Sequence, residues 1–233
     1  MALPRLNDKP KYDLIVPSTE QKVRFRPYLV KEEKVLMMAL ETKDQKQTLN
    51  AVVDTITACI DEDIDKYKLT VFDIEYMFLM IRSKSVGESS EVSVKCNKCP
   101  QENSVVINLD SIPVPKITHS GNIDLAENIK LQMSYPIWTD VLSVDEDQSE
   151  TLQTFEMISS CMQVLETEEN RYELSEESLE EKQNFLESLS SAQFEHIKNF
   201  VEQMPRLEKT ETFTCEGCDE ENTISLRGLE DFF

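Results

Sequence analysis

The chain has 233 residues, with 24 Lys and Arg against 45 Asp and Glu and a formal net charge of −21. Its 39% hydrophobic content suffices for one large domain or two small ones and argues against wholesale disorder, while the charge argues against phosphate backbones and anionic membrane surfaces, both of which are held by Lys and Arg. Only four glycines occur, with no G-x-G-x-x-G and no G-x-x-x-x-G-K-[ST], which argues against a Rossmann or P-loop enzyme.

Along the chain, Tyr12–Val16 reads as a strand stopped by Pro17-Ser18-Thr19, and Lys22–Tyr28 alternates charged and apolar residues up to Pro27. Together they predict a hairpin. Lys31–Glu41 is rich in helix formers, and Gln45–Ile60 places Leu49, Val52, Val53, Ile56 and Cys59 on one helical face. Thr70-Val71-Phe72-Asp73 has the pattern of a capped helix start, and Ile74–Ile81 is apolar at nearly every position, which predicts a helix buried on most sides. Glu91–Leu109 reads as strand, Cys-rich turn and strand, followed by a linker carrying Pro113 and Pro115. Ile123–Ser134 predicts a further hairpin around Glu127-Asn128. The remainder reads as mainly helical: Ser149–Leu165 with Leu152, Phe155, Ile158, Met162 and Leu165 on one stripe, then acidic Ser175–Leu189, then a helix opened by the capping box Ser190-Ser191-Ala192-Gln193 and ended by Pro205. Thr210–Phe233 repeats strand, Cys-rich turn, strand.

The charge is unevenly spread. Residues 1–100 hold 16 basic and 16 acidic side chains, whereas residues 101–233 hold 8 and 29, so the whole excess lies in the second stretch. The neutral stretch leaves Lys22, Arg24 and Arg26 on one strand face as a candidate contact surface. The run Asp145–Glu187 contains 14 acids and 2 basic residues; it reads as a solvated face or as a docking surface for a basic partner. No apolar stretch reaches the roughly 18–20 residues of a membrane span, and Met1-Ala2-Leu3-Pro4-Arg5 has no apolar signal-peptide core. The expectation is a protein kept in a reducing cytoplasm, where cysteines serve as metal ligands or core residues rather than in disulfides.

The strongest motif is a pair of C-x-x-C knuckles, Cys96-Asn97-Lys98-Cys99 and Cys215-Glu216-Gly217-Cys218, separated by 115 residues. Their surroundings match: Glu102-Asn103 and Glu221-Asn222 fall at the same offset from their cysteines, with Val105 and Ile224 beyond. Four thiolates satisfy Zn²⁺ in a closed tetrahedron, which predicts a structural site at Cys96, Cys99, Cys215 and Cys218. Two redox-active dithiols, or four idle cysteines, are the competing readings. Thioredoxin-like dithiols open a helix, and neither motif here does. The long insertion is no obstacle, because loop-closure cost grows only logarithmically with length. Cys59 and Cys161 fall on apolar helical faces and read as core residues. His119 and His196 have neither a nucleophile nor a ligand spacing beside them, and no Ser, Asp or Glu pattern forms a triad or an acid/base pair, so an enzyme is not expected. The terminal Phe232-Phe233 either folds back onto the ribbon or anchors in a partner.

Several segments carry a resemblance: Pro10-Lys11-Tyr12-Asp13-Leu14 to Pro17-Ser18-Thr19, then Lys22-Val23-Arg24-Phe25-Arg26-Pro27-Tyr28-Leu29-Val30-Lys31-Glu32-Glu33-Lys34, the two knuckles, and the closing Ser225-Leu226-Arg227-Gly228-Leu229-Glu230-Asp231-Phe232-Phe233. The chain resembles the baseplate hub assembly proteins of T-even-type contractile-tailed bacteriophages over nearly its whole length. The resemblance implies a non-enzymatic role as hub component or hub assembly factor. It implies other hub and tail proteins as partners, and a location in host cytoplasm during assembly or in the virion base plate. It supplies no catalytic residue.

The expected architecture is α+β. Residues 1–90 form an N-terminal hairpin plus helices. Residues 91–112 and 210–233 form a zinc-ribbon-like module. Residues 113–209 form an acidic, largely helical insertion between its halves. Two alternatives from other classes stand beside this reading: a zinc-ribbon adaptor of a transcription or other nucleic-acid machine, and a thiol–disulfide oxidoreductase. The first needs a basic, aromatic ribbon surface. The sequence offers Lys95 and Lys98 at one knuckle but Glu216, Asp219, Glu220 and Glu221 at the other.

Overall fold

A computed structural model describes residues 9–145 and 147–232. The segment Met1–Arg5, Glu146 of the acidic run and the terminal Phe233 therefore lie outside the described residues. Helices and small antiparallel sheets mix along the chain, which is an α+β arrangement. The fold divides into two units, and the division is discontinuous in sequence. One unit takes the chain up to Lys66, then Phe72–Lys116 and everything from Arg206 on; the other takes Tyr67–Val71 and Ile117–Pro205.

In the first unit, β1 (Tyr12–Ile15) and β2 (Lys22–Phe25) form the expected hairpin, with Leu14 opposite Val23. Strand alternation sends Leu14, Val23 and Phe25 inward. Arg24 and Arg26 are already engaged, by Glu62 at 3.4 Å and Glu32 at 2.9 Å, which leaves less of the proposed cationic strand face free for a partner. α1 (Val30–Thr42) and α2 (Gln45–Cys59) follow. Leu29 has no side-chain acceptor, so only the reverse half of a capping box forms: the Glu32 carboxylate accepts from the Leu29 amide at 2.8 Å. Asp44 caps α2 by accepting from the Gln47 amide at 3.0 Å. α1 buries Glu32, Leu36 and Ala39 and leaves Val30, Val35, Met37, Met38 and Leu40 exposed.

α3 (Val71–Ser85) is buried on most sides, as its apolar run predicts, with Met77, Leu79 and Ile81 fully enclosed. Each such side chain contributes roughly 1.5–3 kcal/mol of burial. Two long hairpins complete this unit: β3 (Ser89–Lys95) with β4 (Glu102–Asn108), and β9 (Glu208–Thr214) with β10 (Glu221–Arg227). Phe232 folds back rather than projecting outward: it is fully buried, and its carbonyl accepts from the Ser90 hydroxyl at 2.5 Å.

The second unit holds a four-stranded antiparallel sheet in the order β5 (Asn122–Ala126), β6 (Ile129–Met133), β7 (Met162–Thr167), β8 (Arg171–Glu173). Four helices belong to it: α4 (Trp138–Ser143), α5 (Glu150–Cys161), α6 (Leu179–Ser188) and α7 (Ser191–Glu202). Leu131, Met162, Leu186 and Ile197 centre one apolar cluster, and Phe155 stacks on Phe194 at 5.4 Å. Ser190 and Gln193 form the predicted capping box, their two bonds measuring 3.3 and 2.9 Å.

Three sequence expectations change here. The helix from Ser149 stops at Cys161, and Met162–Thr167 is a strand. Met162 and Leu165 fit the helical stripe, but Met162 and Val164 also alternate with period 2, and pairing with β6 decides for the strand. Leu152, expected inward, is exposed. The acidic helix begins only at Leu179, because Ser178 supplies its cap. Gly121 leads into β5 with φ +72°, and a Cβ there would lie 2.2 Å from the Met133 carbonyl oxygen.

Candidate metal centre

Each knuckle is a tight turn at the end of a hairpin of two seven-residue strands. The Cys96 amide donates to the Gln101 carbonyl at 3.0 Å, and the Cys215 amide donates to the Glu220 carbonyl at 2.8 Å. Within each turn a backbone amide points at the first sulfur: Lys98 N–H to Cys96 Sγ at 3.3 Å, and Gly217 N–H to Cys215 Sγ at 3.4 Å. Such donors hold a thiolate and orient it.

The two knuckles, 115 residues apart in sequence, meet in space. Cys96 Sγ lies 3.7 Å from Cys218 Sγ, and Cys99 Sγ lies 3.6 Å from Cys215 Sγ. All four sulfurs fall within 4.8 Å of one another. A tetrahedron with metal–sulfur bonds of about 2.3 Å has edges of about 3.8 Å. The observed separations match that edge and are far from the roughly 2.05 Å of a disulfide. Both of these close contacts run between knuckles, as a centre shared by the two dithiols requires. The four residues expected as ligands therefore converge, and their donor set fits a divalent, thiolate-seeking cation.

Electrostatics supports the same reading. The Lys98 amide lowers the Cys96 thiol to about 6. At Cys218 the Glu220 amide pulls the thiol down, but the sulfurs of Cys99, Cys215 and Cys96 and burial push it up to about 12. Four thiols this close cannot all ionise without a counter-charge, which a bound cation would supply. Lys98 pairs with Glu220 at 2.7 Å across the two knuckles. Gly217 stands where the first knuckle has Lys98; a Cβ there would come within 3.2 Å of the Gln101 side chain, so the bare glycine lets the hairpins approach.

Cys59 and Cys161 are buried on helices, with burial pushing their thiols to about 11 and about 12, so they are inert core residues. His119 and His196 are both exposed and line one shallow cleft of the second unit beside Asn199 and Phe200. Among the described residues, only the four knuckle cysteines form a group of three or more His, Cys, Asp or Glu side chains close enough to share an ion. Among the described residues no helix is long and apolar enough to cross a membrane. Asn103 and Asn222 are buried beside the centre. Their equal offset was visible in the sequence, but what they reach was not.

A search of curated proteins and a search of solved structures each gave no match. A family model described as T4 bacteriophage base plate protein matches residues 9–233, nearly the whole chain and both knuckles. The chain belongs to this family of phage base plate proteins.

Proposed function

We propose that the protein is a non-enzymatic structural component of the base plate hub, or a factor that assembles it, and acts through contacts with other hub and tail proteins. The family match over residues 9–233 carries this reading. Two surface features support it. The exposed Val30, Val35, Met37, Met38 and Leu40 leave α1 with apolar side chains in solvent that a partner would cover. The acidic run Asp145–Glu187 offers a long surface for a basic partner. The protein then acts in host cytoplasm during assembly or stays in the virion base plate.

Within that role we assign Zn²⁺ to Cys96, Cys99, Cys215 and Cys218 as a structural ion in a zinc-ribbon-like module made of residues 91–112 and 210–233. With four protein ligands the metal has no open position, so it supplies cross-linking and no Lewis-acid chemistry. The N-terminal hairpin and helices of residues 1–90 then precede this module, and residues 113–209 are an insertion between its halves. Hub extracts lacking the protein should regain assembly when the purified chain is added. Extracts that stay inactive with folded, metal-loaded protein would refute the role.

A further inference from the structure

The two knuckles are joined by exchanged side chains as well as by converging sulfurs. Asn103 follows the first knuckle on β4, and Asn222 follows the second on β10. Both are almost fully enclosed, at 4% and 2% exposure. Each carboxamide reaches into the opposite knuckle. Asn103 Oδ1 accepts from the Glu216 amide at 2.9 Å, and Asn222 Oδ1 accepts from the Asn97 amide at 2.9 Å. Each also ties its own turn: Asn103 Nδ2 donates to the Gln101 carbonyl at 3.3 Å, and Asn222 Nδ2 donates to the Glu220 carbonyl at 2.9 Å. Asn222 Nδ2 lies a further 3.6 Å from Cys96 Sγ. The pattern is an approximate two-fold exchange between hairpins that are far apart in sequence.

The amides that donate these bonds belong to Asn97 and Glu216, the residues directly after Cys96 and Cys215. Each bond therefore fixes the peptide that carries a sulfur of the other hairpin. An aspartate would put a charge beside the thiolates, and a glutamine is one methylene too long for the same reach. Asparagine alone supplies a neutral acceptor and a neutral donor at this length.

We infer that Asn103 and Asn222 are positioning residues of the metal centre, which hold the two thiol pairs face to face so that one shared tetrahedral site forms instead of two separate dithiol sites. This rests on the four-cysteine metal reading. Outer-shell partners of this kind are typically worth 10–100-fold in metal affinity.

The test uses the full chain, with Zn²⁺ affinity from chelator competition and the absorption spectrum of the Co²⁺-loaded protein, both well below the melting temperature. N103A and N222A should each bind Zn²⁺ about 10–100-fold more weakly than the parent, and the sulfur-to-Co²⁺ charge-transfer bands should shift, most in N222A. A lower melting temperature with unchanged Zn²⁺ affinity and an unchanged Co²⁺ spectrum would overturn the inference. Should a variant fail to fold, hydrogen exchange on the parent decides: the Asn97 and Glu216 amides, which the carboxamides alone engage, should be protected, and exchange at free-peptide rates would overturn it. A parent chain that binds no metal overturns the underlying metal reading instead, and that failure is distinguishable because it is seen without any asparagine substitution.

Discussion

Removing the metal, or replacing Cys215 by Ser, should destabilise the chain by an amount that reports whether the two knuckles share one ion. A shared ion cross-links Cys99 to Cys215 and closes the 115 residues between them, as a disulfide would. For an ion that stays on its cysteines in the unfolded chain, the chain-entropy expression for such a closure gives about 5 kcal/mol at 25 °C. An ion confined to one C-x-x-C closes only a few residues, for which the same expression gives about 2 kcal/mol. The two hairpins should survive as strands in either case, because their seven-residue ladders and the burial of Leu109, Leu207 and Phe232 do not depend on the ion. Urea denaturation followed by far-UV circular dichroism, with the chain zinc-loaded and then stripped by chelator, measures the difference. A loss of about 4–5 kcal/mol supports the shared centre. A loss of about 2 kcal/mol or less, equal for Cys99→Ser and Cys215→Ser, would rule out a shared ion.

Other outcomes follow from the fold. Gly121→Ala must place a Cβ 2.2 Å from the Met133 carbonyl oxygen at φ +72°, and it threatens the Met133 amide to Gly121 carbonyl bond of 2.8 Å. A cost of about 2–4 kcal/mol is expected in chemical denaturation, and a change under about 0.5 kcal/mol would contradict the strand geometry. At Glu32 burial alone would raise the carboxyl, but donation from Arg26, the Leu29 amide and Lys31 holds it down at about 2. Its stabilisation is therefore complete above its ordinary 4.5 and lost as pH falls from there toward about 2. Solvent screening reduces the contribution to about 1–2 kcal/mol, so E32Q should be less stable by that amount at pH 7 and equal to the parent near pH 2. Melting curves that stay parallel from pH 7 to pH 2 would sink this. Zinc binding should release protons and weaken on acidification, since Cys218, held protonated, must give up its proton to ligate; titration calorimetry in buffers of different ionisation enthalpy reads that number.

Most of the site was legible because its signal is local. Two cysteines two residues apart in a turn between strands need no tertiary knowledge, and the matched Glu102-Asn103 and Glu221-Asn222 offsets showed that the turns are alike. What Asn103 and Asn222 do was not legible, because each acts on the hairpin that is distant in sequence. The start of α7 could be read from Ser190 and Gln193, whose mutual bonds are local. The end of α5 could not, because Met162 fits both the helical stripe with Leu165 and the period-2 alternation with Val164 until β6 pairs with it. The assignment of Tyr67–Val71 to the second unit likewise has no local signature; the Trp138 amide donating to the Leu69 carbonyl at 3.2 Å and the Val71 amide donating to the Pro136 carbonyl at 3.1 Å draw that segment in.

Metal stoichiometry decides whether the two knuckles share one closed four-thiolate centre. Protein purified without chelator, measured by elemental analysis alongside chain concentration, should contain one zinc per chain, lost in both C96S and C215S. Two zinc ions per chain, or one that persists when either knuckle is removed, would contradict a shared site, and a metal-free parent chain would contradict the centre altogether.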